Sequence, residues 1–203
     1  MSEALTLVAA YLLGSIPFSN LFARRLRDVD LREVGTGTVS GTGLYRVAGF
    51  GPLAVAGLLD IAKGAVAATI AGDNHVLAAL ACGAVVIGHT WSVFLRGAGG
   101  RGISPAMGAL LVVAWPGTVL LLVGLAAGRL ARHTALGSFV ADLLLVPVLA
   151  RTHGADGALA AVAVVVPLLA KRLAGNGRPP TDAPSRVWVN RLLYDADSAA
   201  LSE

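Results

Sequence analysis

Apolar runs separated by short polar breaks organise the whole chain. They fall at roughly 4–23, 50–72, 76–95, 103–115, 117–128, 134–150 and 157–170. A helix needs about 17–25 residues to cross a bilayer. The first three runs fit that length comfortably. The fourth and fifth are short and share the breaker Trp115-Pro116-Gly117. Arginine placement decides between two threadings. If 103–128 crosses once, Arg129 and Arg132 lie outside. If it turns back at Pro116 they lie inside, as the excess of Lys and Arg on the cytoplasmic side favours. The pattern therefore predicts an all-α, polytopic membrane bundle of about seven helices, with six as the alternative. Its N-terminus is expected outside and its C-terminus inside, although Arg151 fits neither threading well.

Composition agrees with a membrane protein. The chain has 203 residues, 56% hydrophobic and 14% charged, with mean hydropathy +0.74. Soluble domains are about 45–50% apolar and about 25% charged. The pI near 9.8 comes from loop arginines and is a topology signal, so no nucleic-acid partner is expected. Glu3 is the only charge near the start. Arg24, Arg25 and Arg27 follow the first run, which reads as a retained anchor. Cys82 is the only cysteine and packs in an apolar run. Membrane domain and tail are expected to divide as 1–174 and 175–203. Pro, Asp and Ser dominate the tail, which reads as a loose cytoplasmic extension with a short surface helix at Val187 to Tyr194.

Ionisable groups inside apolar runs are costly and mark function by default. Asp60 and Lys63 share one helical face at i and i+3, and His89 lies near the end of the third run. The alternative is mutual neutralisation of Asp60 and Lys63, with His89 and Asp142 as buried polar contacts. His75, His133 and His153 sit at run ends and read as solvated. No spacing suggests a metal site.

Two loops are built for anions. In Glu33-Val34-Gly35-Thr36-Gly37-Thr38-Val39-Ser40-Gly41-Thr42-Gly43, four glycines and four hydroxyl side chains fall within nine residues, and Arg46 follows. In Arg96 to Pro105, Gly99, Gly100 and Gly102 surround Arg101, and Ser104 opens the next helix. Glycines let backbone N–H groups approach an anion closely. Arginine adds a forked cation suited to phosphate, and a helix N-terminus points its positive end the same way.

Together these segments resemble the bacterial acyl-phosphate-dependent glycerol-3-phosphate acyltransferases, the PlsY family. Gly14-Ser15-Ile16-Pro17-Phe18 looks like that family's GSIPF. Leu59-Asp60-Ile61-Ala62-Lys63-Gly64 looks like its LDxxKG. Gly88-His89, Val93-Phe94-Leu95 and Gly99-Gly100-Arg101-Gly102-Ile103 are similar to its GH…VFL…GGKGV. Arg132 through Leu136-Gly137-Ser138 resembles another segment of that family. Several positions depart from the family pattern. Thr36 and Thr38 stand for Ser and Asn, Ser40 for Gly and Gly43 for a second Asn. Arg101 stands for Lys, and the last loop lacks the family's His-x-x-Asn element.

The resemblance implies transfer of an acyl chain from acyl phosphate to glycerol 3-phosphate, giving lysophosphatidic acid in the bacterial cytoplasmic membrane. No cofactor is implied. The partners are the two substrates and membrane lipids, with the site facing the cytoplasm. It implies His89, Lys63 and Arg101 as catalytic groups. Thr36, Gly37, Thr38, Thr42, Arg46, Gly99, Gly100, Gly102 and Ser104 would bind substrate phosphate. Ser15, Asp60 and Ser138 would give polar support. The altered loops leave two alternatives open. One is a weak or inactive paralogue that binds a phosphorylated lipid precursor, and the other is a transporter or scaffold on the same fold.

Overall fold

The computed structural model describes residues 2–35, 37–175 and 184–195. Among these residues the secondary structure is helical. Helix α1 (Glu3–Ser15) and α2 (Phe18–Arg27) form the first apolar run, broken at Ile16-Pro17. Proline lacks an N–H and disfavours helix in the residue before it. Ile16 accordingly turns extended, at φ −63° and ψ 115°. After the first loop come α3 (Gly41–Ala48), α4 (Phe50–Thr69) and α5 (His75–Thr90). A short 3-10 turn, Val93–Leu95, leads through the second loop to α6 (Ile103–Val113) and α7 (Trp115–Leu130). The break between them falls at Ala114, and Pro116 occupies the first turn of α7, a position where its missing N–H costs nothing.

The sixth and seventh runs join in one 41-residue element, α8 (Thr134–Ala174). A straight helix of that length would span about 60 Å, twice a bilayer core. It folds back at Gly154, whose φ of 61° and ψ of −145° are not helical. A Cβ on Gly157 would sit 2.6 Å from the Leu149 carbonyl oxygen, so the two arms meet just beyond the fold. The seven expected apolar helices are thus present, two of them within α8. Among the described residues, four elements are long and apolar enough to cross a membrane: Glu3–Arg27, Phe50–Thr69, His75–Leu95 and Thr134–Ala174.

Small residues allow the helices to approach closely, as they do between helices in lipid. The interior is lined by Ala10, Ala67, Ala79, Ala106, Ala109 and Ala160, all fully buried. At the α4–α6 crossing, a Cβ on Gly108 would lie 1.8 Å from the Ile61 carbonyl oxygen. Large apolar side chains point outward instead; Leu58 is 66% exposed and Val123 58%. That reversal suits a lipid-facing surface.

The short helix expected within the tail is present as α9 (Pro184–Tyr194), but it is docked and not loose. Val187 and Arg191 are buried. Arg191 Nη1 donates to the carbonyls of Leu173 and Ala174, both at 3.0 Å, and Arg172 Nη1 donates to the Leu192 carbonyl at 3.1 Å. Arg191 thus reaches the last carbonyls of α8 and Arg172 a late carbonyl of α9, and the two contacts hold α9 there.

Candidate active site

The site begins with the break in α1. Ending the helix at Ser15 frees the carbonyls of Gly14 and Ile16, and Lys63 of α4 takes both, at 2.8 and 2.9 Å. Its Nζ also lies 2.7 Å from Asp60 Oδ1 and 3.0 Å from His89 Nδ1. Acceptors with formal or partial negative charge thus surround the three N–H groups of an ammonium. Nδ1 of His89 sits between that ammonium and the Asp60 carboxylate, 3.5 Å from Oδ1, and Nε2 faces Gly100 of the second loop. Asp60, Lys63 and His89 thus form one cluster joining α1, α4 and α5. The i, i+3 pairing of Asp60 with Lys63 is present. Lys63, expected as a catalytic group, has its donors engaged within the bundle and is absent from the walls of the two clefts beside His89.

The second loop closes over His89. Gly100 N donates to the His89 carbonyl at 3.1 Å. A Cβ on Gly100 would stand 2.4 Å from His89 Nε2, and one on Gly99 would stand 2.3 Å from the His89 carbonyl oxygen. Only glycine permits this approach. Ser92 Oγ donates to the Ser15 carbonyl at 2.6 Å, and Tyr11 Oη donates to the Trp91 carbonyl at 3.0 Å. The first loop is tied in by Val39 N, which donates to the Gly99 carbonyl at 3.2 Å.

Beside His89 opens a cavity of about 110 Å³ whose lining includes Asp60, His89, Arg101, Gly102, Ile103 and Ser104. Ser19 and Ser40 add hydroxyls to the wall. The first residues of α6 face it, so free backbone N–H groups, a guanidinium and hydroxyls converge there. A smaller cleft, lined by Ser15, Gly99 and Gly100, meets it at His89 and Ser19. Burial pushes the Arg101 guanidinium down from its ordinary pKa, partly opposed by Asp195. Burial raises the Asp195 carboxyl, and Arg101 acts against that rise.

The first loop contributes less than expected. Thr36 lies outside the described residues. Thr42 and Arg46 are absent from the cavity wall. The reason is helical register: Leu44 is fully buried in α3, and residues two before and two after it face the other way. Gly37 takes a left-handed turn at φ 67°, and Thr38 is buried, but neither lines the cavity. Ser40 caps α3, accepting from Gly43 N at 3.1 Å. Asp30 fastens the loop base through Arg32, at 2.6 Å, and Arg24.

Residues not singled out from sequence complete this end. Lys171 and Arg172 read as flanking charges, yet they are 1% and 5% exposed. Lys171 Nζ lies 5.3 Å from the Trp91 ring centre. Arg172 Nη2 donates to Ser138 Oγ at 2.6 Å, and Arg172 Nε lies 3.5 Å from Asp142 Oδ2. Ser138 therefore supports Arg172, and Asp142 is a buried polar partner across the fold of α8. For Lys171 and Arg172 the only signal in the sequence was their place at the end of the last apolar run. No group of three or more His, Cys, Asp or Glu able to hold a metal occurs among the described residues.

Apolar helices with cations, hydroxyls and free amides gathered at one polar end define an integral membrane protein built to hold an anionic group there. It is similar to a crystal structure of PlsY, an integral membrane glycerol 3-phosphate acyltransferase in its glycerol 3-phosphate form. The TM-score is 0.75 and the identity 27%, over 88% of this chain and 95% of that one. Residues 4–176 match the family described as Glycerol-3-phosphate acyltransferase. A glycerol-3-phosphate acyltransferase from Synechococcus sp. (strain CC9902) is 40% identical, over 83% of this chain and 86% of its own length. One from Syntrophomonas wolfei is also 40% identical, over 71% and 76%. The chain belongs to the glycerol-3-phosphate acyltransferase family.

Proposed function

We propose that the polar end of the bundle transfers an acyl chain from acyl phosphate to glycerol 3-phosphate. The glycerol hydroxyl oxygen bonds to the acyl carbon, the bond from that carbon to the phosphate oxygen breaks, and lysophosphatidic acid and inorganic phosphate are released. The leaving phosphate or the acceptor's own phosphate takes the hydroxyl proton, and the Lys63 ammonium beside Nδ1 keeps the His89 ring proton on Nε2. His89 acts as a hydrogen-bond donor that polarises a substrate oxygen. Lys63 and Asp60 fix its tautomer and orientation. Arg101, the α6 amides and Ser104 bind substrate phosphate, and Gly99, Gly100 and Gly102 permit the approach. Acyl phosphate is already activated, so positioning and charge stabilisation supply most of the catalysis.

The observation that carries this reading is the cavity in which His89, Arg101 and the start of α6 converge. Arg24, Arg25, Arg96, Arg101, Lys171 and Arg172 belong to the loops and helix ends around it, which supports a cytoplasmic site and an N-terminus outside. Residues 1–174 form the membrane-embedded acyltransferase domain, and 175–203 are a cytoplasmic extension. The match over 4–176 does not favour a binding-only paralogue.

Membranes containing the protein are expected to make lysophosphatidic acid from acyl phosphate, and not from acyl-CoA or acyl-carrier protein assayed alongside. Arg101→Ala is expected to abolish turnover while the protein remains in the membrane. Full activity in Arg101→Ala, or use of the thioesters alone, would overturn the assignment.

A further inference from the structure

Arg101 is held from outside the family-matched region. The match ends at residue 176, and α9 lies beyond it. Asp195 follows α9 directly and its N–H donates to the Arg191 carbonyl at 3.1 Å, so the helix sets its position. Its Oδ2 forms an ion pair with Arg101 Nε at 2.7 Å. Arg101 Nη1 donates to the Lys171 carbonyl at 3.3 Å. Arg101 lines the cavity, whereas Asp195 does not. The carboxylate therefore grips the guanidinium from behind and leaves the cavity open. Nη2 has no protein partner among the described residues. Arg101 Nε and Asp195 Oδ1 are both buried with no hydrogen-bond partner among those residues, so the close ion pair is what ties the carboxylate to the guanidinium.

We propose that Asp195 is a positioning residue for substrate binding: anchored by α9, it orients the Arg101 guanidinium so that its unpaired edge meets a substrate phosphate. This rests on the reading of Arg101 as a phosphate cation. It also explains the arginine. A lysine, which the resembled family places here, is a compact point charge that needs no rotational control. A planar fork binds two oxygens only when its plane is fixed. The α9 brace fixes that plane, through Asp195 on one nitrogen and the end of α8 on another.

The test measures kcat and KM for acyl phosphate and glycerol 3-phosphate in detergent-purified full-length protein, with thermal midpoints recorded alongside. Asp195→Asn is expected to raise KM for one phosphate substrate about tenfold, the scale of one close charge pair, with kcat little changed. Asp195→Glu should restore KM to within about threefold. In an Arg101→Lys background, Asp195→Asn should change KM less than about twofold, because no fork remains to be oriented. A KM that falls in Asp195→Asn would make the carboxylate a competitor of substrate and overturn the brace. Equal effects in the wild-type and Arg101→Lys backgrounds, or unmoved KM values, would overturn it too. If Arg101→Ala loses activity and Asp195→Asn leaves KM unmoved, the brace alone fails. If Arg101→Ala stays active, the phosphate-cation reading fails with it.

Discussion

Replacing Gly108 with alanine tests whether the contact between α4 and α6 sets the geometry of the site. The added Cβ would lie 1.8 Å from the Ile61 carbonyl oxygen, where an ordinary contact begins at 3.4 Å. The obstacle is backbone and cannot rotate away, so the helices must separate by about 1.6 Å. Helix α4 carries Asp60 and Lys63, and α6 begins beside Arg101. A misplacement of about 1 Å costs about a hundredfold in rate, and overpacking costs about 1–3 kcal/mol of stability. Gly108→Ala is thus expected to lower acyl-transfer kcat/KM by about a hundredfold and the thermal midpoint with it. Gly51→Ala, also in α4 but with nothing within 4 Å of its Cβ, is the control and should match the wild type in activity. Purified proteins in detergent, assayed for lysophosphatidic acid release and thermal unfolding, give both readouts. Wild-type stability and activity in Gly108→Ala would show that this contact does not position the site.

Two further changes probe its surroundings. Gly100→Ala puts a Cβ 2.4 Å from His89 Nε2 and 2.7 Å from the Val39 carbonyl oxygen. It should lower kcat about a hundredfold with protein still in the membrane, and retained kcat would refute the close approach. Asp30→Asn should cost about 1.5–3 kcal/mol through loss of its charge-assisted bonds. Arg32 and then Arg24 hold the Asp30 carboxyl well below the usual range, against the opposing effect of burial. Because the folded pKa lies below the unfolded one, this stability is present above about pH 4 and is lost as pH falls through the folded value. The gap in thermal midpoint between wild type and Asp30→Asn should hold at neutral pH and shrink in acid. A gap that widens in acid would reverse the assignment.

The apolar runs exposed the bundle because lipid permits few polar interruptions, and His89, Arg101 and the glycines of the second loop stood out for the same reason. Asp60 and Lys63 were legible as a pair from their spacing. The role of Lys63 was not, because its partners are backbone carbonyls released by Pro17, and carbonyls leave no side-chain signature. Thr42 and Arg46 looked like anion ligands by composition, but burial of Leu44 turns them outward. The fold at Gly154 was visible only as a gap between runs. Lys171 and Arg172 carried the ordinary signature of membrane-flanking charges. Their burial, like that of Arg191, depends on how α9 packs against α8, a tertiary event that no local pattern encodes.

The Arg101–Asp195 pair also sets an order of assembly. Its members are separated by 94 positions, which a ribosome covers in roughly 5–20 s at about 5–20 residues per second. Throughout that interval the helices on either side of Arg101 can enter the bilayer while its carboxylate has not yet been made. Through that interval the guanidinium must stay hydrated at the membrane surface. The centre is therefore completed later than the helices that flank it, and a nascent chain arrested before residue 195 would be inserted but unfinished.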